Sequence, residues 1–98
     1  MSLPVVFRPI AQRELDGAIT WYENEKTGLG ARFRRAVDQI AARIAATPLR
    51  FRPASQRTRR ALVPGFPYAI HFAEEPDSIV ILAIFHTRRD PHQLEDRT

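Results

Sequence analysis

The spacing of apolar residues divides the chain into strand-like and helix-like segments. Leu3 to Arg8 (Leu-Pro-Val-Val-Phe-Arg) is a short β-prone run, and Pro4 stands early enough to be tolerated in an edge strand or at a strand start. Pro9 ends that run and suits the first turn of a helix. From Ala11 to Glu25 the period becomes helical. Ala11, Leu15, Ala18, Ile19 and Tyr22 share one stripe, with Ile10 and Trp21 on its flank. Thr27-Gly28 stops this helix, because Gly28 can take a left-handed cap. A second helix is predicted over Leu29 to Ala46, where Leu29, Phe33, Ala36, Val37, Ile40 and Ile44 oppose Arg32, Arg35, Asp38, Gln39 and Arg43. Thr47-Pro48 ends it, since the residue before a proline is pushed out of the helical region.

The remainder reads as strands. Leu49 to Thr58 has no usable period and is expected to be a loop, with Arg50 and Arg52 solvated within it. Arg59 to Val63 is a short strand, and Pro64-Gly65 a turn. Pro67 to Ala73 alternates, with Tyr68, Ile70 and Phe72 on one face and Ala69, His71 and Ala73 on the other. His71 is therefore expected to be half-exposed. Glu74 to Ser78 is a polar hairpin connection. Ile79 to Phe85 is apolar on both faces and belongs inside a sheet. The fold class is α+β: a helical hairpin packed on one face of a small, mainly antiparallel sheet, in the order β-α-α-β-β-β. The first strand is expected beside the last, which needs neighbours on both sides.

A chain of 98 residues is one domain's worth, and residues 1–98 are read as one unit. There is no cysteine, which excludes disulfides and thiolate metal sites and fits a reducing cytosol, so a cytoplasmic location is expected. The longest apolar run, Ile79 to Phe85, is too short to span a bilayer, and no signal-peptide pattern opens the chain. Charge adds more. The net charge is +4, Lys26 is the only lysine, and no Asp or Glu occurs between Asp38 and Glu74. Arg43, Arg50, Arg52, Arg57, Arg59 and Arg60 all fall in that interval. Such a segment points to an acidic partner, either nucleic acid or an acidic protein segment.

Several motifs occur in a recognisable order: Trp21-Tyr22-Glu23, Gly28-Leu29-Gly30, Phe33, Thr47-Pro48, Arg59-Arg60, Phe66-Pro67-Tyr68-Ala69-Ile70, His86-Thr87-Arg88-Arg89-Asp90-Pro91 and Arg97. In this order and spacing the chain resembles the RelE/ParE family of toxins from type II toxin–antitoxin systems, on its ParE-like, plasmid-stabilisation branch. The resemblance implies a growth inhibitor neutralised by a cognate ParD-like antitoxin, whose acidic, disordered arm wraps the toxin in a hetero-oligomer. Ile10, Trp21, Arg57 and Arg59 are the expected antitoxin contacts. An off-stripe aromatic among cationic residues suits a segment that folds on contact, the alternative being a Trp21 buried against the first strand.

The family has two activities. ParE-like members poison DNA gyrase; RelE-like members cleave messenger RNA on the ribosome. The expected target contacts are Arg60, His86, Arg88 and Arg89. No residue is assigned as catalytic for a gyrase poison. For a metal-independent ribonuclease, His86 could move protons near neutral pH while Arg88 and Arg89 hold the phosphate. Against cleavage, Ala69 stands where the nuclease branch carries an arginine. Both tyrosines, Tyr22 and Tyr68, lie on apolar stripes, and none follows Phe85. A third reading is a small nucleic-acid-binding module, but the chain shows no stacking aromatics, helix-turn-helix or zinc finger. His71, His86 and His92 have no metal-site spacing, so neither metal nor cofactor is expected. Arg88-Arg89-Asp90 also reads as an ion-pair cluster, and Leu94 occupies a position where ParE-like relatives often have tryptophan.

Overall fold

The computed structural model describes residues 2–97. Strand β1 (Val5–Phe7) leads into helix α1 (Pro9–Glu25) and helix α2 (Leu29–Ala46), followed by a 3-10 turn (Pro48–Arg50), strands β2 (Arg52–Pro53), β3 (Arg59–Leu62), β4 (Tyr68–Glu74) and β5 (Ile79–His86), and a C-terminal 3-10 segment (Pro91–Arg97). The sheet order is β1-β5-β4-β3-β2. The first strand pairs parallel with the last, Val5 opposite Ile79, and the remaining pairs are antiparallel. β5 thus lies between two neighbours, as its two apolar faces require.

Helix α1 begins at Pro9, two residues earlier than its apolar stripe, because proline fills a first-turn position whose N–H has no partner. Gly28 carries the reversal between the helices in a left-handed conformation, φ 89°. The start of α2 has no cap of its own. The Glu23 carboxylate from the end of α1 supplies one, accepting the Gly28 N–H at 2.9 Å and the Gly30 N–H at 3.1 Å. Gly30 lies against the first helix so closely that a Cβ there would stand 2.6 Å from the Ile19 carbonyl oxygen.

Leu15, Tyr22, Phe33, Val37, Ile40 and Ile44 pack against Ile70, Phe72, Ile79, Ile81 and Ile84 to form the main core. At its upper end Tyr22, Phe33, Phe66 and Tyr68 make an aromatic group with centroids 5.0–6.0 Å apart. β5 contains a bulge. His71 pairs with Ala83 but Phe72 pairs with Ile81, leaving Leu82 as the extra residue. The phase of β5 therefore changes at Leu82. Ile79, Ile81 and Ile84 face the helices, while Val80, Leu82, Ala83 and Phe85 form a second cluster covered by Leu94.

Two expectations change. The stretch predicted as a loop from Leu49 to Thr58 contains a 3-10 turn and the edge strand β2, whose two residues carry no periodic signal. Arg52 remains exposed, but on a strand and not in a loop. His71 is not half-exposed but buried, 5% accessible. The β2–β3 hairpin and the C-terminal segment build up around this nominally outer face of the sheet.

Candidate functional site

β1 ends after pairing with Ile81, and the Arg8 N–H bonds to the Ile81 carbonyl at 3.0 Å. Beyond that point the edge of β5 would present unpaired backbone groups. Side chains complete it. Glu14 Oε1 accepts the Ile84 N–H at 3.1 Å and the Arg97 Nη1 at 2.8 Å; Glu14 Oε2 accepts Arg97 Nη2 at 3.0 Å. Arg97 Nη1 also donates to the Leu82 carbonyl at the bulge, 3.2 Å. Arg89 joins from the turn after β5, donating to Glu14 at 3.0 Å and bonding Gln93. The guanidinium groups of Arg89 and Arg97 lie 4.3 and 4.7 Å from the centre of the Phe85 ring. This cluster fastens the C-terminal segment to the sheet. The sequence hides it, although Glu14 left a trace: an acid adjoining the stripe of Ala11, Leu15 and Ala18.

The Arg88-Arg89-Asp90 cluster accordingly separates. Arg89 pairs with Glu14 and not with Asp90. The exposed Asp90 carboxylate accepts the His92 N–H at 2.9 Å and meets its Nδ1 at 2.8 Å, and those hydrogen bonds hold its pKa below the usual value. Arg88 is exposed, and its N–H donates to His86 Nδ1 at 3.1 Å. His86 thus accepts a hydrogen bond at Nδ1, which leaves Nε2 as the N–H donor of the neutral ring. Its ring meets Tyr68 edge-on at 5.5 Å.

Arg60, His86 and Arg89 come together in one hollow of about 200 Å³ on the open face of the sheet, with Arg52 and His71 beside them. Arg88 does not line it. Burial and the adjacent Arg60 charge push the His71 pKa down to about 4, so its imidazole is neutral near pH 7. Burial raises the phenol pKa of Tyr22 and of Tyr68, which removes both from acid–base work near neutrality. Among the described residues, no three His, Cys, Asp or Glu side chains are placed to hold a metal ion.

The expected antitoxin contacts fall in two places. Ile10 and Trp21 are both exposed on α1. Eleven residues at 100° each bring them back to one side of the helix, about 16 Å apart along its axis. Trp21 is 56% accessible and touches Tyr22 only edge-on, so it is not buried against β1. Arg57 and Arg59 instead line a cleft of about 650 Å³ with Arg8, Val80, Leu82 and Arg97. Arg57 is exposed at the β2–β3 turn, whereas Arg59 is half-buried and donates to the Phe51 carbonyl at 2.8 Å. Its guanidinium is partly structural.

The family model described as "ParE toxin of type II toxin-antitoxin system, parDE" matches residues 5–91. The chain belongs to the ParE toxin family. A solved chain from the "Chromosomal ParDE TA system from P. aeruginosa" has the same fold, with a TM-score of 0.76 at 12% identity, covering 87% of this chain and 96% of that one. No curated protein matches in the sequence search. As a ParE-family toxin the chain has an antitoxin as its implied partner. The family match ends at the turn after β5, so it spans every strand and both helices but not most of the C-terminal segment. Among the described residues no helix is long and apolar enough to cross a membrane.

Proposed function

We propose that this ParE-family toxin inhibits growth by protein contact with DNA gyrase in the cytoplasm and is neutralised by a ParD-like antitoxin. The observation that carries the reading is the family match over residues 5–91. The site chemistry agrees with a binding role. Tyr68 is locked in the aromatic core, His71 is neutral and buried, and Arg89 is engaged by Glu14. An RNA-cleaving centre needs a base, an acid and free cations around one phosphate, and here much of that inventory is committed to structure.

The exposed Arg88 turn, with Arg60, His86 and Arg89 beside it, is the proposed target surface. Arg88 is its centre because it is exposed and, among the described residues, has no carboxylate partner. The antitoxin arm is proposed to seat an apolar residue against Trp21 and Ile10 and its acidic residues near Arg57 and Arg59. A short acidic segment that orders on binding gains from both kinds of contact.

Purified toxin is expected to block supercoiling by gyrase or trap its cleaved DNA complexes, and to leave translated messages intact. Arg88→Ala should abolish this without lowering stability. Codon-linked cuts in messenger RNA that disappear in His86→Ala would replace the gyrase reading with ribosome-dependent cleavage.

A further inference from the structure

Three positively charged or chargeable residues stand in one cross-strand row. Arg52 on β2 is opposite Arg60 on β3, and Arg60 is opposite His71 on β4. Residues directly opposite in antiparallel strands put their side chains on the same face, and like charges so placed destabilise a sheet. Among the described residues no carboxylate pairs with Arg52 or Arg60. Two polar atoms of the row are also buried without a hydrogen-bond partner, Arg60 Nε and His71 Nδ1. Buried polar atoms are nearly always satisfied, and an orphaned donor costs about 1–3 kcal/mol. A sheet that tolerates both faults in adjacent residues lacks a counter-charge.

We propose that the hollow above this row is a binding site for a single phosphate group, held by Arg52 and Arg60 with the His86 Nε2 edge beside them. The hollow contains Arg52, Arg60, His71, His86 and Arg89 and no carboxylate among its lining residues. Its volume of about 200 Å³ is below the roughly 300 Å³ at which pockets begin to enclose whole small molecules. It therefore takes a phosphate group, free or within a strand, and not a whole nucleoside. Two guanidinium forks on neighbouring strands offer more N–H donors than one planar carboxylate can accept, which suits a tetrahedral oxyanion better. No bond is made or broken. Arg89, anchored by Glu14, adds field without needing to leave its ion pair. This inference goes beyond the gyrase reading and does not depend on it, because binding is read on the toxin alone.

The test is titration of the full chain with three probes at one ionic strength: inorganic phosphate, a thymidine dinucleotide joined by one phosphodiester, and acetate. Calorimetry gives affinity, and NMR shifts of Arg60 Nε–H and the His71 ring locate the site. Saturable binding of phosphate or of the dinucleotide is expected, and which of them binds more tightly tells a free phosphate from a strand phosphate. Arg60→Gln should weaken it about ten- to a hundredfold, and the exposed edge-strand variant Arg52→Gln about tenfold, the range for losing charge-assisted hydrogen bonds. Arg13→Gln, which removes the same charge from α1, should leave affinity unchanged. Acetate binding as well as phosphate, no saturable binding by either phosphate probe, or affinity undiminished in both hollow variants would overturn the proposal.

Discussion

Replacing Glu14 with alanine tests how the C-terminal segment is held. The carboxylate is 13% accessible and the Arg97 side chain 12%, so both members of the pair have lost most of their water. Among the described residues, removing Glu14 leaves the Arg97 guanidinium with the Leu82 carbonyl and the Phe85 ring, and leaves the Ile84 N–H without its acceptor. Breaking a buried pair by deleting one partner costs about 3–5 kcal/mol, and the orphaned amide falls within that sum and does not add to it. Arg89 is different. Its side chain is 42% accessible, so Arg89→Ala should cost about 1 kcal/mol, mainly through its contact with Phe85. For a chain of this size, 3 kcal/mol corresponds to a fall in Tm of at least about 12 °C. Urea denaturation of Glu14→Ala, Arg97→Ala and the double variant gives the coupling energy directly. The double variant should lose far less than the sum of the singles, because the only charge it leaves unpaired, that of Arg89, is 42% accessible and hydrated. A Glu14→Ala cost below about 1 kcal/mol, or additive single effects, would show that the pair is effectively solvated and that the segment is held by Leu94 alone.

Other perturbations separate structure from contact. Gly30→Ala should destabilise by about 1–3 kcal/mol in thermal melts, because the new Cβ meets the Ile19 carbonyl oxygen at 2.6 Å and the helices must part. Glu23→Ala should cost about 0.5–2 kcal/mol by uncapping α2, with no change in antitoxin affinity if the fold is retained. Trp21→Ala should alter stability by no more than about 0.5 kcal/mol, as expected of an exposed side chain, yet weaken antitoxin binding measured by calorimetry. His71 is expected to make the protein acid-sensitive. Its folded pKa of about 4 lies below the unfolded 6.5, so the unfolded state binds the proton first. Stability is then intact above pH 6.5 and falls as the pH drops towards 4, by about 3 kcal/mol in all. Denaturation curves for His71→Gln should be flatter over that interval.

Much of the fold was legible because it depends on local periodicity. The stripe through Phe33, Val37, Ile40 and Ile44 specifies α2 and its buried face, and the two-sided apolar run from Ile79 specifies an interior strand. The adjacency of β1 and β5 followed from the same run. The short strand β2 escaped because two residues carry no period, and pairing with β3, not composition, makes Arg52 and Pro53 a strand. The bulge at Leu82 escaped for a related reason: a single extra apolar residue in an apolar run leaves no mark. The site was less legible. Arg60, His86 and Arg89 do meet in one hollow, but Arg52 and His71 entered it through strand register, which sequence spacing does not encode. The link between Glu14 and Arg97, 83 residues apart, could be named only once the sheet edge showed what was missing from it.

The position of β5 also constrains the order of folding. Its partners are β1, near the start of the chain, and β4, and the parallel pairing of Val5 with Ile79 closes about three-quarters of the chain into a loop. The helical hairpin can form by contacts among near neighbours, but its apolar stripe has no cover until the last strands arrive. During synthesis, residues 9–46 emerge well before residue 79 exists. The growing chain therefore carries a finished amphipathic hairpin with a bare face, a form open to a chaperone or to misassociation. Closing the sheet on that face is a late, long-range and slow event. The substitutions that most delay folding should therefore lie in β1 and at Ile79 and Ile81, the buried β5 residues that pair with it.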